Sequence, residues 1–126
     1  MHIIFGQSLH LVPDSFTVLE LDTFRVLEKD GLYTAYCVVE KIPLEEFSML
    51  DNLKKIHQDL VEQYKKQNWD FCSRAIEQLM GKFNGEVDSF YQNLAERINY
   101  YRNNPPGEEW DSCLVRTDVP EEPVAE

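Results

Sequence analysis

Three histidines and three cysteines are the side chains of this chain best suited to metal binding or nucleophilic catalysis, and their spacing gives them little to work with. His2, His10 and His57 stand in no recognised metal-ligand spacing with one another or with a Cys or Asp, so no metal site is expected. Cys37, Cys72 and Cys113 are odd in number, lie 35 and 41 positions apart and form no CxxC pair, which argues against both a zinc knuckle and a disulfide framework. Cys72 has a packing role that accounts for it, and Cys113 is expected to be the most exposed thiol. A Cys–His pair that meets only in the fold stays open at this stage. The glycines Gly6, Gly31, Gly81, Gly85 and Gly107 are scattered, so there is no phosphate-cradling loop. The acidic pairs Glu45-Glu46, Glu108-Glu109 and Glu121-Glu122 read as solvated surface, because adjacent residues on a helix do not face one another. Catalytic, cofactor-binding and metal-ligating residues are therefore expected to be absent, and no cofactor is expected.

The elements that would position such groups are easier to read. Ile3-Ile4-Phe5 allows a short edge strand, and Val12-Pro13-Asp14-Ser15 is a turn. Strand formers fill Phe16–Val26 and again Leu32–Ile42, and Glu28-Lys29-Asp30-Gly31 between them supplies the Asp-Gly step of a hairpin. Pro43, with Glu45 and Glu46 behind it, suits the first turn of a helix, which begins there or at Ser48, where Ser48-x-x-Asp51 resembles a capping box. Its apolar stripe is Leu50, Leu53, Ile56 or His57, Leu60, Val61 and Tyr64, with His57 read as a boundary residue. Asn68 caps a second helix with the stripe Trp69, Cys72, Ala75 or Ile76, Leu79, Met80 and Phe83. Asn84-Gly85 breaks it. A third helix from about Glu86 carries Val87, Phe90, Tyr91, Leu94, Ile98 and Tyr101, and Asn103-Asn104-Pro105-Pro106-Gly107 ends it. The connections are short, so consecutive helices are expected to pack as antiparallel neighbours.

Composition bounds the partners. The chain has 126 residues, 43% hydrophobic and 28% charged, which is ordinary for a folded domain. No apolar run approaches the ~20 residues that span a bilayer, and the N-terminus lacks a signal-peptide pattern, so a cytoplasmic protein is expected. The net charge is −11, of which residues 105–126, with seven acids and one base, hold −6. Such a surface repels phosphate backbones, which argues against nucleic acid and anionic membranes as partners.

Residues 56–83 resemble a degenerate tetratricopeptide repeat: Trp69 stands at the aromatic position opening the second helix, Cys72 at the small position three later, and Ile76 and Leu79 at the next packing positions. A wider likeness covers about residues 18–115. Leu21-Asp22-Thr23-Phe24-Arg25-Val26, the Lys29 turn and Thr34-Ala35-Tyr36-Cys37-Val38 are similar to the last β-hairpin of class III nucleotide cyclases. Some cyclases of that class continue into a helical tail with a Tyr, a Trp, and later two prolines followed by Trp-Asp; here these are Tyr64, Trp69, Pro105-Pro106 and Trp110-Asp111. The family's metal-binding aspartates and its base-recognising and transition-state residues lie upstream of the hairpin and have no counterpart in these residues. The resemblance thus implies a cyclase tail without the catalytic core.

The fold expected is α+β: an N-terminal antiparallel β-hairpin region (1–42), a three-helix repeat-like bundle (43–104) and an extended acidic tail (105–126), in one compact domain. Trp110, Cys113, Leu114 and Val115 are expected to dock back as a strap, and the last six or so residues to stay disordered. The function expected is a non-catalytic protein–protein interaction module. Tyr64, Trp69, Cys72, Ile76 and Leu79 would form its packing, and Phe71, Tyr100, Tyr101 and Trp110 its partner-binding surface. Phe71 and Tyr100 stand off the main stripes of their helices. An isolated two-stranded ribbon is marginal in water, so self-association into a homodimer through it is a further expectation. Two alternatives stand beside this reading: a regulator of a nucleotide cyclase that imitates its tail, and a small nucleotide-binding protein or enzyme using Lys29 with the surrounding acids.

Overall fold

The computed structural model describes residues 2–26 and 31–116. The expected turn at Glu28-Lys29-Asp30, the end of the acidic tail and the Glu121-Glu122 pair lie outside them. The chain forms two compact units, one of Met1–Glu40 with the chain from Ser112 onward, the other of Lys41–Asp111. Residues 105–111 therefore group with the helices, not with a separate tail.

The class is α+β, and the strand arrangement differs from a stand-alone hairpin. Strands β1 (His2–Phe5), β2 (Thr17–Val26), β3 (Leu32–Val39) and β4 (Leu114–Arg116) form one sheet in the order β1-β3-β2-β4. β1 and β2 flank β3 antiparallel, placing Ile3, Cys37 and Leu19 in one row, while β4 runs parallel to β2 with Leu114 beside Phe24. The ribbon is thus covered on one edge by β1 and on part of the other by β4. A parallel neighbour requires a long return of the chain, which the whole helical unit provides. Alternation sets which residues are buried: Thr17, Leu19 and Leu21 on β2 and Ala35, Cys37 and Val39 on β3. A register shift between Glu20 and Thr23 brings the hydroxyls of Thr23 and Thr34 to 3.0 Å across the pair. The turn expected from Val12-Pro13-Asp14-Ser15 closes with the Phe16 N–H donating to the Pro13 carbonyl at 3.1 Å.

In the other unit a 3-10 turn (Leu44–Met49) runs directly into α1 (Leu50–Lys65), followed by α2 (Trp69–Leu79), a turn at Phe83–Gly85 and α3 (Asp88–Asn103). The capping box does not form. Met49 stands at the N-cap without a side-chain bond, and the Leu50 N–H finds the Phe47 carbonyl instead, because the preceding turn already supplies acceptors. The α1–α2 corner is a Schellman motif: the N–H groups of Gln67 and Asn68 donate to the carbonyls of Tyr64 and Gln63, both at 3.0 Å, with Gln67 at φ 62° where glycine is usual. Asn68 then caps α2 as expected, its side chain accepting from the Phe71 N–H. α2 packs on both α1 and α3. The buried stripes are Leu53, His57, Leu60, Val61 and Tyr64; Cys72, Ala75, Ile76 and Leu79; and Val87, Phe90, Tyr91, Leu94 and Ile98.

Phe83 departs from expectation. Instead of ending the α2 stripe it opens a turn in which Phe83, Asn84 and Gly85 all take left-handed backbone, φ 52°, 61° and 70°. Its ring is fully buried at 0% exposure, and its N–H donates to Glu46 Oε1 at 2.8 Å.

Candidate interaction surface

Two features of the helical unit stand out, one aromatic and one of reversed polarity. The aromatic one gathers Tyr64 from the end of α1, Trp69 from the first residue of α2, Tyr101 from the last turn of α3, and Trp110 from the irregular chain beyond it. Trp69 stacks on Tyr101 with centroids 5.4 Å apart and planes 20° apart. Trp110 meets Tyr64 at 5.2 Å, Tyr101 at 5.2 Å and Trp69 at 5.7 Å, edge-on or tilted. Edge-to-face and offset contacts of this kind stabilise beyond the area they bury. Arg97 lies over the Tyr64 ring, its Cζ 5.9 Å from the centroid. Arg102 reaches back across α2 to Asp70 Oδ1 at 2.8 Å and Ser73 Oγ at 3.1 Å.

Of the four aromatics expected to contact a partner, this geometry turns two inward. Tyr101 and Trp110 are half-buried and hold the cluster together, and Phe71 is half-buried as well. Tyr100 is 61% exposed, 5.7 Å from Tyr101. The expected packing set lies in the interior: Tyr64, Cys72, Ile76 and Leu79 are buried, and Trp69 is half-buried.

The second feature was not read from the sequence. In the 3-10 turn Leu44–Met49 the apolar side chains face out and the acid faces in: Leu44 is 78% and Phe47 57% exposed, while Glu46 is only 7% exposed. Glu46, expected as solvated surface beside Glu45, instead holds the Phe83 amide. Residues i and i+3 eclipse in a 3-10 helix, so Leu44 and Phe47 form one apolar ridge with Met49 beside it. Leaving a leucine and a phenylalanine in water forgoes roughly 1.5–3 kcal/mol each relative to full burial. Single exposed leucines are common, but a turn that buries its carboxylate and exposes its hydrophobes inverts the usual rule. The sequence did carry a trace of it, since Leu44-x-x-Phe47-x-x-Leu50 repeats by three ahead of the α1 stripe.

His57 is no boundary residue. It is 2% exposed, its Nδ1 lies 2.8 Å from the Tyr91 hydroxyl, and its ring sits among Phe83, Phe90 and Tyr91. Among the described residues no group of three or more His, Cys, Asp or Glu could hold a metal ion. His2 Nε2 lies 3.2 Å from Glu40 Oε1 on the sheet, both exposed.

Cys37 and Cys72 are buried and Cys113 is half-exposed. The Cys72 thiol donates to the Leu60 carbonyl at 3.7 Å, and burial pushes its pKa up to about 11 against the opposing pull of Arg102. The neutral thiol is thus favoured in the folded chain. The resulting stability is complete below the ordinary value of 9.0 and lost as pH rises toward about 11. Two outcomes are expected: the urea midpoint of the helical unit falls between pH 9 and 11 in the native chain but less in Cys72→Ala, and iodoacetamide at pH 8 labels Cys113 well before Cys72.

No protein-family model, curated protein or solved structure matches this chain. Among the described residues no helix is long and apolar enough to cross a membrane.

Proposed function

We propose that the chain is a non-catalytic protein-interaction module whose contact surface centres on Leu44, Phe47 and Met49. The observation that carries this reading is the inverted polarity of Leu44–Met49, where a buried Glu46 fixes the turn and its apolar ridge stays in water. Aromatic and methionine side chains are enriched at interfaces, and a few anchors of this type dominate binding energy. The turn is held from below by a carboxylate–amide bond, so the ridge is set before a partner arrives and less ordering is required on association. Capture from a native extract, quantified for the wild-type chain and for Leu44→Glu with Phe47→Glu, tests it. A protein retained by the wild type should be lost by at least tenfold with the double variant. Equal retention would remove the ridge from the interface.

The α1–α2 hairpin supports the finer description as a repeat-like unit: Trp69 opens α2, and Cys72, Ile76 and Leu79 fill the space toward the neighbouring helices. A second reading, action on a class III nucleotide cyclase, has one observation behind it. Tyr64, Trp69 and Trp110, three of the residues on which the likeness to cyclase tails rests, converge in one cluster although 46 positions separate the first from the last. Product formation by such a cyclase, measured with and without the added chain, decides it: a changed rate supports the reading, and a constant rate over a wide concentration range removes it.

A further inference from the structure

Asn84 is the only asparagine of the chain followed by glycine. The pair matters chemically, because a residue without Cβ leaves its main-chain nitrogen open to the preceding side-chain carbonyl. Asn84 is exposed and lies at φ 61°, ψ 21°, between Phe83 at φ 52° and Gly85 at φ 70°. Left-handed backbone is tolerated at asparagine and unstrained at glycine, but it strains Phe83. The turn is therefore held closed from outside, by the buried Phe83 ring and by the Phe83 N–H on Glu46 Oε1 at 2.8 Å. While it is closed, two hydrogen bonds occupy the atoms that could react. The Gly85 N–H donates to the Lys82 carbonyl at 2.9 Å, and Asn84 Nδ2 donates to Glu86 Oε2 at 3.4 Å.

We infer that Asn84 is a site of spontaneous deamidation, and that the Glu46–Phe83 bond sets its rate by controlling how often the turn opens. In the open turn the Gly85 nitrogen bonds to Asn84 Cγ and the Cγ–Nδ2 bond breaks. The side-chain nitrogen leaves as ammonia, taking the proton that the Gly85 nitrogen gives up. Water then opens the cyclic imide and returns a proton to that nitrogen. Attack at Cγ yields aspartate, and attack at the main-chain carbonyl yields isoaspartate, in which the chain runs on through Cβ and Cγ. Either product carries a carboxylate where Asn84 had offered a donor, so its hydrogen bond to Glu86 becomes a repulsion. Isoaspartate also adds one carbon to the main chain inside the turn that presents the Phe83 amide to Glu46. The turn cannot close as before, and a reversible opening becomes a permanent one. None of this involves Leu44, Phe47 or a partner, so it stands or falls apart from the proposed function.

Mass spectrometry of proteolytic digests follows Asn84 at pH 8 in the full chain, in the full chain with Glu46→Leu, and in a synthetic peptide of residues 80–88, where no fold holds the turn. The peptide is expected to react fastest and the native chain at least about tenfold more slowly. Glu46→Leu, which strands the Phe83 amide, is expected to react at least about fivefold faster than the native chain while keeping its helical circular dichroism. Glu46→Gln, which keeps an acceptor, should stay near the native rate. Within the native chain Asn84 should react ahead of every other asparagine. A native chain that reacts as fast as the peptide, a folded Glu46→Leu that reacts no faster than the native chain, or another asparagine that reacts first overturns the inference. If Glu46→Leu loses its dichroism, the ratio of the native to the peptide rate decides alone.

Discussion

Replacing Phe83 with alanine is expected to destabilise the helical unit by about 3–5 kcal/mol, the usual range for truncating a fully buried phenylalanine. A small domain has only about 5–15 kcal/mol in hand, so the urea midpoint should fall sharply. The backbone adds a more specific expectation. At φ 52° a side chain with a Cβ is strained by roughly 1–2 kcal/mol, whereas glycine is not. Phe83→Gly should therefore be more stable than Phe83→Ala, reversing the order these residues follow in a right-handed helix. Phe83 tolerates the strain because its ring is buried and its amide is held by Glu46 at 2.8 Å. Glu46→Leu, which strands that amide, should cost about 1–3 kcal/mol, and Glu46→Gln, which keeps an acceptor, much less. A glycine variant less stable than the alanine one would contradict this account of the turn.

The second large effect belongs to Trp69, whose indole touches Tyr64, Tyr101 and Trp110. It is half-buried, so Trp69→Ala is placed at the lower end of the range for such truncations, about 3 kcal/mol. The two tryptophans contact each other, so their losses should not add: a cycle with Trp110→Ala is expected to return a coupling of about 0.5–1.5 kcal/mol. Additive losses would mean that the two indoles stabilise the unit independently of each other, despite their contact. The double variant should keep its helical circular dichroism, because the α-helical hydrogen bonds and the Asn68 cap do not depend on either ring.

How much of this was legible depends on range. The three helices could be read because Leu53, Leu60 and Tyr64, Cys72 and Leu79, and Phe90, Leu94 and Ile98 recur at three and four, and that spacing alone selects a face. Ile56 and His57 could not be separated, since adjacent positions differ by only about 100° on the helix and polarity favoured the wrong one. The burial of Glu46 was hidden because its partner is a main-chain amide 37 residues away, offered only by a left-handed turn that phenylalanine rarely adopts. β4 is three residues long and parallel, with no hairpin to announce it. The repeated aromatics were visible as a set, but spacing does not say whether Trp110 points outward to a partner or inward to Tyr64. It goes inward, and the exposed ridge lies instead at Leu44 and Phe47, between a proline and a helix start that drew attention to capping.

We propose that this ridge meets a protein partner. The most direct measurement places a photo-activated cross-linking residue at position 47 of the full chain in its native cells. The account predicts a discrete protein adduct at that position, diminished when Leu44 is also changed to Glu and much weaker when the cross-linker is placed at exposed Gln78 on α2. No adduct from position 47, or equal adducts from both positions, would contradict it.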